Sequence, residues 1–278
     1  MPGDHRVVSW TSTRRQRMSV ETGTEPQRRR HILLELGFAT TMVGEELHGS
    51  ATITPQMHVP GTDRLRTSIL ATWTDTVTGL LAALTLGPRV PVTLELDVHL
   101  YRPAPSSGEV RAVGRTIKAG RSVFVAEVEW TVDGEPFAFG GGSFMVSPNE
   151  ELRLPEQMSI DMPVTGRLLA VPLAERAGCE RRAPGTAVLP RTDDGLNASR
   201  TVNGGLIALA AEEAMLSLAP GATLSTLGLR YLQAARVGPV VAAATLRADV
   251  VRATLRDAGN EDRITTLATG RLFPATGR

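Results

Sequence analysis

The sequence predicts an α+β fold built from two copies of one unit, each a long central helix wrapped by an antiparallel β-sheet. Three observations carry that expectation. A single long apolar helix in the first half is followed only by segments of strand length that alternate apolar and polar residues. The same cycle of strand, helix and strands returns after a polar, proline-bearing stretch, and Pro, Gly, Ser or Asp-Gly turns separate its segments. The chain of 278 residues, 42% of them apolar, is long enough to give each copy its own core.

Taken in order, residues 1–30 carry seven arginines amid Ser, Thr, Gln and Gly, and read as a disordered, solvated extension. The first repeat, 31–150, opens on the amphipathic strand 46-ELHGSATITPQMHV-59. It continues in a helix near 64–86, where Leu65, Ile69, Leu70, Val77, Leu80, Leu81 and Leu84 recur at helical spacing. Strands are expected over 91–104, 109–120, 122–132 and 136–146. Residues 147–163 are polar and proline-bearing, which places a linker at 151–163. The second repeat, 164–278, holds a poorly defined strand near 183–190, a helix over 204–218, and strand runs 223–235, 239–255 and 263–273. The halves can be superposed: 97-DVHLYRPA-104 lies on 228-GLRYLQAA-235, and 140-GGGSFM-145 on 268-ATGRLF-273, the mark of a diverged internal duplication. Pairing of the two sheets would also cover an edge that a lone copy leaves open.

Composition excludes several classes. Thirty basic against 29 acidic side chains leave a net charge of +1, so no global field draws the chain to nucleic acid or anionic membrane. One cysteine, Cys179, excludes an intrachain disulfide framework and fits a reducing cytoplasm. Residues 1–20 lack the apolar core of a signal peptide, and Asp75 with its threonine neighbours interrupts 69–84, so no membrane span is expected. The histidines lack the spacing of metal ligands, and no metal is predicted. The string 47-LHGS-50 sits in a strand pattern, and 140-GGG-142 opens no helix, which makes it a bulge or a close backbone approach.

The informative stretch is 196-LNASRTVNGGLIALAAEEAM-215. Two glycines open an apolar helix, and an acid follows well inside it. A helix start has unpaired N–H groups and partial positive charge, and glycine lets a carbonyl oxygen approach that backbone closely. The stretch resembles the helix-opening motif of the PaaI-type acyl-CoA thioesterases of the hotdog superfamily: Asn, five residues, His-Gly-Gly, and an acid nine positions after the His. Here it reads Asn197, then Asn203-Gly204-Gly205, then Glu212, with Asn203 in place of the histidine. The resemblance implies a double hotdog, with two antiparallel central helices and hydrolysis of a small-molecule acyl thioester whose coenzyme A belongs to the substrate. It requires no separate cofactor. It also implies that such chains assemble into homo-oligomers through their sheets.

Geometry assigns the roles within that resemblance. Glu212 lies eight residues beyond Gly204, about 12 Å along the helix, so it cannot serve its own helix start. An antiparallel neighbour can, which makes each site a composite of donors from one repeat and an acid from the other. At the same spacing the first repeat has Asp75 as its acid, but Pro60 and Arg66-Thr67-Ser68 where the donors should be. One complete composite is expected: Asp75 as general base or nucleophile, Asn197 and Gly204 as oxyanion donors, Gly205 and Asn203 against the substrate. Thr93 matches a small hydroxyl residue that helps place the attacking water in that family. Its mirror, with Glu212 as acid, is expected to be dead or weakened. The alternatives are a helix carboxylate satisfied by Thr72, Thr74 or Thr78, glycines that serve only packing, Asn197 as a turn residue, and at least one of Glu212 and Glu213 solvated. A non-catalytic acyl-CoA-binding or scaffolding protein is the alternative function.

Overall fold

The computed structural model describes residues 31–154, 159–162, 166–197 and 199–273; the extension 1–30 and part of the 151–163 linker lie outside them. Two helices, α1 (Thr67–Leu86) and α2 (Gly204–Leu216), pack against one twelve-stranded antiparallel sheet. Its first-half strands are β1 (Ala39–Val43), β2 (Glu46–Thr52), β3 (Pro91–Leu100), β4 (Glu109–Ala119), β5 (Val123–Val132) and β6 (Glu135–Val146). The second half supplies β7 (Glu180–Ala183), β8 (Thr186–Leu189), β9 (Thr223–Tyr231), β10 (Val240–Arg247), β11 (Val250–Asp257) and β12 (Arg263–Phe273).

The spatial order is β1-β2-β4-β5-β6-β3-β9-β12-β11-β10-β8-β7. Read outwards from the β3–β9 pair, the strands of the two halves follow in the same order. At that seam Asp97 faces Gly228, between the pairs Glu95↔Arg230 and His99↔Thr226. Asp97 and Gly228 are the residues that the sequence match superposes. The join uses hydrogen bonds that either half alone would leave unpaired.

Close approach of helix to strand depends on glycine. A Cβ on Gly140 would sit 2.8 Å from both the Thr74 Oγ1 and the Asp97 carbonyl, and one on Gly142 would sit 2.5 Å from Thr78 Oγ1. The triple glycine is therefore the seat of α1 on β6. Gly142→Ala is expected to cost about 1–3 kcal/mol through overpacking, read as a melting temperature lowered by several degrees; an unchanged melt would mean that the helix is not seated there. Beneath α1, Trp73 stacks on Phe38 at a centroid distance of 5.3 Å and meets Trp130 at 6.0 Å. By length and composition α1 could cross a bilayer, yet Ile69, Leu70, Trp73, Val77 and Leu81 are buried in this fold.

Several boundaries differ from the sequence pattern. The run 239–255 is a hairpin of β10 and β11, not one strand, because Ala248 takes a left-handed turn (φ 55°) with no glycine or proline to announce it. The segment near 183–190 is likewise a short hairpin, turning at Gly185 (φ 79°). The strand expected over 46–59 stops at Thr52, since Pro55 begins a 3-10 turn, Pro55–Met57. Strand β1 lies upstream of any expected strand and pairs with β2 from Ala39↔Ser50 to Val43↔Glu46. The single cysteine, Cys179, is buried, and its thiol is pushed up to about 12, chiefly by burial.

Candidate active site

The two helices lie side by side in opposite directions, and the contacts that fix this define two helix starts. At the start of α2, Asn203 is the cap: extended at φ −63°, ψ 139°, its side chain accepts the Gly205 N–H at 2.8 Å. Among the described residues no hydrogen bond takes up the Gly204 N–H. Gly205 abuts Thr72 of α1, whose Cγ2 would be 2.8 Å from an added Cβ. Only glycine permits that contact. Tyr231, at the end of β9, donates its phenol hydrogen to the Gly204 carbonyl at 3.0 Å.

Asp75 lies three residues beyond Thr72, roughly one helical turn, which carries it past the start of α2. Its carboxylate accepts the Thr93 hydroxyl at 2.9 Å across from β3. Burial pushes its pKa up to about 6, against the lowering effect of the Thr93 hydrogen bond. Tyr231 feels this carboxylate: its own pKa is raised well above the usual value, first by burial and then by the Asp75 charge. The competing partners are engaged elsewhere, since Thr72 and Thr78 donate to the Ser68 and Thr74 carbonyls at 2.9 and 2.7 Å. Among the described residues the Thr74 hydroxyl has no hydrogen-bond partner.

Because the Thr93 hydroxyl holds the ionised form, Thr93→Val is expected to move the Asp75 titration further above 6. Titration of the Asp75 carboxyl followed by NMR should then show a higher midpoint in the variant than in wild type. A midpoint that stays in place would mean that the Thr93 hydroxyl does not hold the ionised form.

Asn197 belongs to the loop that leads into α2. Its Oδ1 accepts from the Ser199 N–H at 3.0 Å and from the Thr201 N–H and hydroxyl, each at 3.1 Å. The carbonyl end thus organises the turn, and its amide –NH2 is the end of the side chain left to donate. The structure therefore groups Asp75, Thr93, Gly204, Gly205 and Asn203, with Asn197 on the adjoining loop.

The other helix start is closed. Glu212 accepts from the Thr67 N–H at 2.8 Å, the Ser68 N–H at 3.3 Å, the Ser68 hydroxyl at 2.6 Å and Arg66 Nη1 at 3.1 Å. Arg66 also forms an ion pair with Glu213 at 2.6 Å, and Glu213 accepts Arg181 Nε at 2.6 Å. Glu212 and Arg66 are 0% exposed and Glu213 3%, so neither acid is solvated, contrary to the expectation for at least one of them. Burial works against the Arg66 charge, but Glu212 and Glu213 more than offset it and hold the guanidinium protonated. The carboxylate that would serve this start as its acid fills it instead.

Two partners escaped the sequence reading. Tyr231 lies on Leu100 in the superposed repeats, and a polar residue facing an apolar one was a visible asymmetry. Arg66 stands at the histidine position of the motif, and an arginine there opposite Glu212 was a visible signal of an ion pair. A cleft of about 780 Å³ is lined by Glu35, Arg176, Asp193 and Asp194 and contains no member of the site. Its Arg176 is already held by both Glu35 oxygens, at 2.9 and 2.7 Å, and by Asp194 at 2.9 Å.

Sheet, helices and paired helix starts define the hotdog-type thioesterase fold. Residues 68–136 match the family model of the thioesterase superfamily, a span that includes Asp75 and Thr93. The chain is similar in fold to the 12:0-ACP thioesterase from Umbellularia californica (12% identity, 84% of this chain and 99% of that one, TM-score 0.60). It is similar also to an acyl-ACP thioesterase from Bacteroides thetaiotaomicron (13% identity, 82% and 98%, TM-score 0.58). No curated protein matches the chain in sequence.

Proposed function

We propose that the chain hydrolyses acyl thioesters at one composite site, and that its halves, 31–150 and 164–278, are two hotdog repeats sharing that site. The observation that carries this reading is a carboxylate with a pKa near 6, hydrogen-bonded to Thr93, beside a helix start whose Gly204 N–H is free among the described residues. Such a base is largely ionised at neutral pH yet keeps a useful affinity for a proton. The thioester carbonyl oxygen would sit on the Gly204 N–H, with the Asn197 amide as second donor. Asp75 would take a proton from water as the water oxygen bonds to the carbonyl carbon. The carbon–sulfur bond then breaks, and the departing thiolate recovers the proton from Asp75.

The alternative order, attack by the Asp75 carboxylate itself with an anhydride intermediate, uses the same groups. We take coenzyme A as the carrier; the acyl-ACP names of the two similar structures make the carrier protein the first alternative to test. The closed start of α1 supports one active centre per chain rather than two.

A thiol-release assay over acyl-CoA and acyl-carrier-protein substrates of graded chain length tests the reading. Release is expected for at least one series, with kcat/KM rising as pH passes through about 6. Coenzyme A binding without release from any substrate would support instead a non-catalytic acyl-CoA-binding protein.

A further inference from the structure

Tyr231 has no counterpart in the closed half of the molecule. The phenol ends β9, on the helix-facing side of the sheet, and the residue superposed on it is the buried Leu100. Two observations place it between the parts of the site. Its hydroxyl donates to the Gly204 carbonyl at 3.0 Å, and an added Cβ on Gly204 would be 3.1 Å from the same oxygen. In the antiparallel register Arg230 faces Glu95, so the next residue, Tyr231, comes opposite the stretch of β3 that includes Thr93, the partner of Asp75.

We propose that Tyr231 is a positioning residue for the hydrolysis, holding both the first peptide of α2 and the attacking water. This rests on the thioesterase reading above. The phenol has one hydrogen, and the Gly204 carbonyl takes it. Toward the site Tyr231 can therefore only accept. A water lying between Asp75 and the thioester gives one hydrogen to the Asp75 carboxylate and the other to the Tyr231 oxygen, which turns a lone pair of its oxygen toward the carbonyl carbon held on Gly204. The Asp75 charge reinforces the arrangement by opposing ionisation of the phenol, so the tether to Gly204 keeps its hydrogen. Tyr231 bonds to backbone and water and not to the acyl chain, so its loss acts on turnover and not on substrate affinity.

The test compares wild type, Tyr231→Phe and Asp75→Asn in the full chain, by thiol release from an acyl-CoA series and by thermal melting. Tyr231→Phe is expected to lower kcat about tenfold with KM within about twofold and melting unchanged within about 2 °C, since the ring still packs. Asp75→Asn is expected to lose nearly all turnover. A Tyr231→Phe protein with wild-type kcat, alongside an inactive Asp75→Asn, would overturn the role of Tyr231 alone. A kcat loss matched by raised KM and a lower melting temperature would reduce it to packing. Wild type with no thiol release would overturn the functional reading and this role with it.

Discussion

Replacing Asp75 with Asn is expected to lower kcat for thiol release about a thousandfold, a loss typical of removing a general base, while raising the melting temperature at pH 8. The two effects have one cause. The Asp75 carboxyl is largely desolvated, with Thr93 as its hydrogen-bonding partner, and its pKa of about 6 lies some two units above that of a free aspartate. A raised native pKa means that the folded protein binds the proton more tightly than the unfolded chain. The resulting stabilisation is complete below about pH 4 and is lost as pH rises through about 6. Above that, the folded state carries the ionised carboxyl at a cost on the order of 2–3 kcal/mol. Asn resembles the protonated form. The variant should therefore match wild type in stability near pH 4 and exceed it by about 2 kcal/mol at pH 8. Differential scanning calorimetry at the two pH values checks the sign, and a variant less stable at pH 8 would contradict it.

Glu212→Gln should do the opposite: destabilise strongly and spare the active site. Glu212 accepts four hydrogen bonds from the start of α1 while neutralising the fully buried Arg66. Breaking a buried pair from one side leaves the other charge poorly compensated, at a cost of about 3–5 kcal/mol, although Glu213 still faces Arg66 at 2.6 Å. With about 3 kcal/mol lost, a chain of this size should melt roughly 6–12 °C lower. Activity per folded molecule should remain within a few-fold of wild type, because Glu212 is committed to the other helix start. Turnover that collapses in a protein still folded at the assay temperature would show that this half takes part in the chemistry.

These two substitutions rest on positions that the sequence pairs at equal spacing, eight residues into each central helix. Helix periodicity, the alternating strands and the glycine pair were legible because each follows from local spacing and local backbone demands. The antiparallel packing of the helices was legible only through the resemblance, since no local signal tells which distant helix supplies an acid. Thr93 emerged by the same route, and the structure puts its hydroxyl 2.9 Å from Asp75. Tyr231 and Arg66 stood out of pattern in the sequence, but the place of the one and the seal made by the other were not legible. Tyr231 depends on the register across the β3–β9 seam, and the seal depends on Arg66 and Glu212 meeting from positions 146 residues apart. The β10–β11 turn was missed for a smaller reason: Ala248 adopts a left-handed conformation usually signalled by glycine.

The most direct measurement is a crystal structure of the full chain with a ketone analogue of acyl-CoA, in which a methylene replaces the thioester sulfur and the carbonyl is kept. One analogue per chain is expected, its carbonyl oxygen at hydrogen-bond distance from the Gly204 N–H and its carbonyl carbon facing the Asp75 carboxylate. An analogue seated at the α1 start in place of Glu212, or bound with its carbonyl away from both Gly204 and Asp75, would contradict it.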